Sequence, residues 1–157
     1  MNNYWHTNYR AGQSGDFTFR YAVTSGPKLD GQALTRLGIE EMRPAEVNHV
    51  VSQDKVGDPE RPLPPEGRGF LEMTGDDVAL VTWKQAEDGN GSILRLREIG
   101  GKPASTVVHF PHSNISSAHL CSGVEANQQN LPVADNSVKL SFRPFEVLTV
   151  RVESQRD

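Results

Sequence analysis

Short segments of alternating apolar and polar residues, separated by turns rich in glycine and asparagine, fill the chain from Gly69 onward and constrain its fold most strongly. Period-two alternation predicts a strand with one buried face, because successive strand side chains point to opposite sides. Short strands joined by such turns indicate an antiparallel sandwich. The predicted strands cover residues 70–73, 77–84, 93–98, 106–110, 116–121, 137–142 and 145–152.

Two of these segments carry further predictions. Asp77 to Lys84 is apolar at both odd and even positions, which predicts a central strand covered on both faces. It is followed by Glu87-Asp88-Gly89-Asn90-Gly91, a hairpin signal, because asparagine and glycine tolerate positive φ. In the segment 137–142 the apolar residues all fall on one face.

The N-terminal third is predicted to hold one more strand and the only helix. Asp16 to Ser25 alternates aromatic and β-branched residues with polar ones, which predicts a half-buried strand. Asp30 to Met42 is predicted to be helical, with Asp30 as N-cap and Pro44 as a stop signal. The proline-rich range 45–69 is predicted to be a long surface loop. The fold class is therefore mainly β, an antiparallel β-sandwich with one short helix, in a single domain spanning 1–157.

Composition excludes several classes of partner. The net charge of −4 does not attract nucleic acid, and no apolar run approaches the roughly 20 residues of a membrane helix. The chain has one cysteine, Cys121, so no intrachain disulfide can form, and a reducing compartment such as the cytoplasm is favoured. Cys121 is predicted to be a small buried apolar residue rather than a nucleophile.

Two groups of residues suggest chemistry, and each has a simpler interpretation. His109, His112 and His119 could ligate zinc, yet the proline within His109-Phe110-Pro111-His112 separates the rings, and histidines at a surface turn explain the pattern better. Glu87 and Asp88 could form the carboxyl pair of a glycosidase, but their place beside Gly-Asn-Gly favours a solvated turn. No catalytic residue and no metal ligand is predicted in this chain.

An aromatic- and asparagine-rich run lies at the start of the chain. Aromatic faces and amide groups suit either a sugar or a seam between domains, and the seam is preferred because so short a run cannot fold alone. The predicted interdomain or sugar-contact residues are Asn2, Asn3, Trp5, Thr7, Asn8 and Tyr9. Arg20 and Arg95 could pair with carboxylates across such an interface, although a solvated strand face is the alternative.

Three ordered stretches carry a resemblance to a known family. They are Met1 to Tyr9 with Gln13, Gly15 and Phe17 to Tyr21; Glu87 to Gly91 with Ile93 to Glu98; and Leu140 to Val152. Together they resemble the C-terminal β-sandwich region of glycoside hydrolase family 38, the alpha-mannosidases, from Met1 to about Val152. The range 45–69 matches weakly.

The resemblance implies a parent enzyme that is a retaining, exo-acting alpha-mannosidase with a zinc ion and an aspartate nucleophile in an N-terminal α/β domain. That catalytic domain is absent from this chain, so no cofactor is expected here and the fragment alone is expected to be inactive. The implied function is a non-catalytic domain that supports the catalytic domain and the rim of its sugar cleft. The implied partners are that missing domain, mannose-containing glycans and, through the exposed seam, a second copy of the chain.

Two other functions stay open at this stage. A free-standing carbohydrate-binding module would display coplanar aromatic rings, for which Tyr4, Trp5, Tyr9 and Trp83 are the candidates, with Trp83 expected in the core. A small catalyst would turn over an aryl alpha-mannoside by itself.

Overall fold

The computed structural model describes residues 15–27, 30–43 and 69–155, and its fold is mainly β, as predicted. The elements are α1 (Gly31–Met42), β1 (Glu72–Met73), β2 (Val78–Gln85), β3 (Ser92–Glu98), β4 (Ala104–His109), β5 (Ile115–Cys121), β6 (Asn127–Leu131), β7 (Val133–Ala134), β8 (Ser137–Phe142) and β9 (Val147–Ser154). Within the described ranges, no helix has the length and apolar character to span a bilayer.

The strands form two antiparallel sheets packed face to face. One sheet has the order β1-β4-β8-β7, and the other has the order β2-β3-β9-β5-β6. The apolar faces of both sheets meet in one core, as in a sandwich. Its buried side chains are Val78, Leu94, Leu96, Val108, Phe110, Ala118, Val138, Leu140, Phe142, Val150 and Val152.

The prediction of a central strand at 77–84 was wrong, because β2 lies at the edge of the five-stranded sheet. Its pairing with β3 shifts register between Leu80 and Thr82. The extra residue, Val81, is a bulge that reverses which positions face inward. Leu80 pairs with Leu96 before the bulge, and Trp83 pairs with Leu94 after it. Apolar residues therefore occur at both parities although only one face is a core face.

Helix α1 begins and ends as predicted. Asp30 is the N-cap, and its side chain accepts a hydrogen bond from the Ala33 N–H at 2.8 Å. The helix contacts the sandwich beside β2, where Gln32 Nε2 donates to the Asp76 carbonyl at 2.6 Å and Arg36 pairs with the Asp76 carboxylate at 3.3 Å. These contacts place the first turn of α1 next to the β3–β4 turn.

Two further predictions were corrected. The predicted half-buried strand over 16–25 is not formed: this segment has no regular secondary structure, pairs with neither sheet and is exposed throughout. Strands β6 and β7 were missed, because Asn127 to Leu131 has no apolar alternation and its pairing depends on the β5 edge. The predicted loop at 45–69 lies outside the described residues except for Gly69.

Candidate functional site

The outer face of the five-stranded sheet is polar, and two loops cover part of it. Core residues alternate along β9 with Thr149 and Arg151, which point to the opposite side of the sheet, and their cross-strand neighbours on β5 are Cys121 and His119. Thr149, Arg151 and Cys121 are nevertheless buried. They lie under the β2–β3 turn and the loop between β5 and β6, which fold over this face.

Arg151 ties both loops to the sheet. Its Nη1 donates to both carboxylate oxygens of Asp88, at 2.9 and 2.8 Å, and to the Asn90 carbonyl at 3.0 Å. Its Nη2 donates to the Glu125 carbonyl at 3.0 Å. A planar guanidinium suits this role because it presents several donors in fixed directions. Hydrogen bonds with Asp88 raise the pKa of Arg151, so this cation stays charged.

Glu125 makes the second connection between the loops. It is buried with a positive φ of 66°, and its carboxylate accepts the Glu87 N–H at 2.9 Å and pairs with Lys84 at 2.7 Å. The hydrogen bond from Lys84 and that from the Glu87 backbone together lower the pKa of Glu125. Arg95 Nη2 donates to the Gly123 carbonyl at 2.8 Å in the same loop. This contact lies within the domain, and the interface pairing suggested for Arg95 stays a prediction.

A second buried carboxylate, Glu98, organises the opposite end of β3. Its side chain accepts N–H groups from Gly100 at 2.6 Å, Gly101 at 2.9 Å and Phe145 at 2.7 Å. Burial opposes ionisation of Glu98, but the N–H groups of Phe145, Gly100, Gly101 and Lys102 outweigh it and lower its pKa. The carboxylate therefore joins the β3–β4 turn to the turn that precedes β9.

Beside these two turns is a cleft of about 420 Å³. The first turn of α1 forms one wall, through Asp30, Gln32 and Thr35. Lys102 and the ring of Phe145 lie opposite. Phe145 is 60% exposed and has a φ of 58°, a conformation that large side chains rarely adopt. The structure thus displays an aromatic ring at the mouth of a polar cleft.

The three histidines considered as zinc ligands are held apart. His109 lies on β4 with Nδ1 2.9 Å from the Ser137 hydroxyl, and His112 packs edge-to-face on Phe70. His119 lies in the other sheet, on β5. In the parts of the chain that the structure describes, no three His, Cys, Asp or Glu side chains converge as a metal site would require.

The neighbouring carboxylates Glu87 and Asp88 lie in the β2–β3 turn, as the sequence indicates. Asp88 accepts the Asn90 N–H at 2.9 Å as well as the Arg151 guanidinium. The Asn90 N–H and then Arg151 lower the pKa of Asp88. A general acid in a glycosidase needs the reverse shift, so Asp88 serves the turn and the Arg151 contact.

Sequence reasoning found some of these residues and missed others. Cys121 is buried, as predicted. The sequence did not point to four of the residues described above: Arg151, Glu125, Glu98 and Phe145. Of these, Arg151 could have been found, because a charged residue inside an apolar strand indicates a buried ion pair or hydrogen-bond network. The expected seam residues Asn2, Asn3, Trp5, Thr7, Asn8 and Tyr9 lie outside the described residues.

The segment after that seam, residues 15–27, is described and shows an exposed aromatic row. Phe17 is 57% exposed, Phe19 53%, Tyr21 82% and Val23 95%. Phe17 and Phe19 stack on each other with centroids 6.5 Å apart. Apolar side chains in such a row are typical of a contact surface.

Residues 77–150 match the family described as "Glycosyl hydrolases family 38 C-terminal beta sandwich domain". No curated protein matches the chain. The matched range begins just before β2 and extends into β9, so it includes strands of both sheets but leaves out β1 and the end of β9. Over residues 77–150, the sandwich of this chain is thus similar to the C-terminal beta sandwich domain of the family 38 glycosyl hydrolases.

Proposed function

We propose that this chain is the non-catalytic C-terminal β-domain of an alpha-mannosidase-like glycoside hydrolase, which supports the catalytic domain and helps to form the rim of its sugar cleft. The main observation in favour is the exposed aromatic row of residues 17–23, a contact surface that no described part of the sandwich covers. A domain that supports another needs an apolar surface of this kind to bury against it.

The chemistry of the carboxylates supports a scaffold role. The pKa is lowered at three carboxylates: at Glu125 by Lys84 and then the Glu87 N–H, at Asp88 by the Asn90 N–H and then Arg151, and at Glu98 by backbone N–H groups that outweigh its burial. Carboxylates held in this way stabilise turns and do not donate protons near neutral pH. In this proposal the zinc ion and the aspartate nucleophile belong to the catalytic domain, and mannose-containing glycans are the substrate class of the whole enzyme.

The proposal is tested by producing this chain together with the catalytic segment of an alpha-mannosidase-like glycoside hydrolase from the same genome. We expect the two to co-elute in size-exclusion chromatography, and the zinc-dependent hydrolysis of an aryl alpha-mannoside to survive heating to a higher temperature than in the catalytic segment alone. Replacing Phe17, Phe19 and Tyr21 by serine should abolish co-elution. Thr18→Ser and Thr24→Ser, at exposed polar positions of the same segment, form the matched control.

Two results would contradict the proposal. One is zinc-dependent hydrolysis of an aryl alpha-mannoside by this chain alone, which would make it a catalyst. The other is failure of the two chains to associate while both are folded. Dimerisation of the isolated chain that is lost in the serine variant would agree with the same surface being used by a second copy.

A free-standing carbohydrate-binding module is less well supported by the aromatic residues of the sandwich. Trp83 is 43% exposed, contrary to the expectation of a core position, but its ring packs edge-to-face on Phe110 at 6.2 Å. Its ring is thus engaged with the edge of the core and forms no flat platform with a second exposed ring in the described residues.

A further inference from the structure

The ring of Phe145 is held in an exposed position by the fold itself. Its positive φ of 58° is unfavourable for a residue with a large side chain, and 60% of the residue is exposed. Phe145 is the third residue of a turn closed by the Glu146 N–H, which donates to the Arg143 carbonyl at 3.1 Å, and glycine is the usual residue where such a turn needs a positive φ. Strain of this kind persists only where the surroundings enforce it, and it commonly occurs at functional positions.

Two contacts hold Phe145 in this conformation. The Phe145 N–H donates to the buried carboxylate of Glu98 at 2.7 Å, which fixes the backbone of the turn. The distal edge of the ring lies over Gly101, where an added Cβ would stand only 2.7 Å from Phe145 Cζ. Gly101 has a φ of +71°, so glycine is needed there for conformation as well as for space. The protein therefore holds the Phe145 ring in this position without a ligand.

The cleft beside the ring offers polar groups of mixed type. Gln32 and Thr35 bring an amide and a hydroxyl from α1, while Asp30 and Lys102 bring one charge of each sign. Asp30 caps the helix and Lys102 Nζ pairs with Asp77 at 3.1 Å, so the cleft has no excess charge to attract an ion. Its volume of about 420 Å³ lies within the roughly 300–1,000 Å³ of small-molecule sites.

We propose that this cleft binds one pyranose ring of a neutral sugar. The apolar C–H face of the sugar packs on the Phe145 ring. Its hydroxyls donate to the Gln32 side-chain oxygen and the Thr35 hydroxyl oxygen, since Gln32 Nε2, Thr35 Oγ1 and the Gly100 N–H already donate within the protein. A sugar ring fits this combination because it has one apolar face and a rim of uncharged donors and acceptors. The inference goes beyond the supporting role proposed above and does not depend on a catalytic domain.

Affinity should be in the millimolar range. The cleft is open and offers one aromatic ring, so the ligand keeps much of its contact with water and gains few hydrogen bonds. Such a weak subsite would act by retaining a branch of a larger glycan through multivalent attachment rather than by capturing a free sugar.

The test is an amide NMR titration of the whole chain with methyl alpha-mannoside. We expect saturable shifts centred on Gly100, Gly101, Lys102 and Phe145. Phe145→Ala should weaken binding about tenfold, which corresponds to the upper range for one aromatic contact. Phe145→Tyr keeps the ring and should bind like the unmodified chain.

Controls separate the site from general effects. Phe17→Ala removes an exposed aromatic residue elsewhere and should leave the titration unchanged, and glycerol, which has hydroxyls but no ring face, should give no saturable shift. If Phe145→Ala does not fold, the positions of the shifted amides in the unmodified chain still locate the binding site. Absence of saturation, shifts centred away from the cleft, or an equal response to glycerol would each overturn the proposal. None of these results bears on association with a catalytic segment, so the two proposals fail separately.

Discussion

Two segments with the same alternating pattern have opposite environments in this chain. In β8, Val138, Leu140 and Phe142 are at most 4% exposed, whereas Phe17, Phe19 and Tyr21 are between 53% and 82% exposed. In a strand, such a pattern places the apolar side chains on one side of the backbone. The alternation thus identifies an apolar face but not the surface that covers it. For β8 that surface is the other sheet, and for residues 17–23 we propose a partner.

Polar groups also differ in burial between the sandwich and residues 15–27. In the sandwich, Glu98, Arg151 and Glu125 are buried and each has several hydrogen-bond partners. Residues 15–27 are exposed and pair with neither sheet. The following substitutions test this difference between the sandwich and residues 15–27.

The largest effect is expected for Leu140→Ala. Truncating a buried leucine removes apolar burial and leaves a cavity in the core, which typically costs about 2–5 kcal/mol. Urea unfolding of the isolated chain, followed by tryptophan fluorescence, measures the loss in the free energy of unfolding. A loss under about 1 kcal/mol would mean that the two sheets are not packed as described.

Glu98→Gln should have the next largest effect and should change the pH dependence. The lowered pKa of Glu98 means that its contribution is complete above the ordinary value of 4.5 and is lost as pH falls through the pKa of the folded state. Glutamine retains one accepting oxygen but adds donors that face N–H groups. Unfolding midpoints measured from pH 7 to pH 3 should fall less steeply in the variant, and an unchanged acid slope would contradict the assignment.

Arg151→Met should cost about 1–3 kcal/mol. The variant keeps most of the apolar stem but leaves the buried carbonyl of Glu125 without its donor and releases Asp88 from the β2–β3 turn. Hydrogen exchange should speed up in both covering loops and not in β8. Arg97→Met, at an exposed position on the same face, is the control and should change stability by less than about 0.5 kcal/mol.

The smallest effect is expected for Phe19→Ser in the isolated chain, within about 0.5 kcal/mol of the unmodified chain, since the side chain is exposed and contributes little to the sandwich core. The same unfolding assay measures it. A loss comparable to that of Leu140→Ala would show that residues 17–23 pack on the sandwich, and it would remove the contact surface on which the proposed function depends.

The sequence was a sound guide where local signals agreed with the tertiary structure. The bounds of β8 and α1, the Asp30 cap and the turn at 87–91 follow from alternation, side-chain capping and positive φ, all of which act over a few residues. The prediction for β2 was wrong because the Val81 bulge changes which positions face the core. The strand at 127–131 was not predicted because this polar segment forms a strand only by pairing with β5. The candidate site was largely missed, because Glu98 meets Phe145 across 47 positions of sequence.

By itself, the sequence determined that this chain builds an antiparallel sandwich with one capped helix, and its ordered motifs indicated the family that the match over 77–150 supports. Those properties depend on side-chain periodicity and on short-range backbone preferences. Only the tertiary structure decided which strand is an edge, which charges are buried together, and that Phe145 stands over Gly101 beside a cleft. The physical reason is that these features arise from contacts between residues distant in the chain, whose meeting no local pattern encodes.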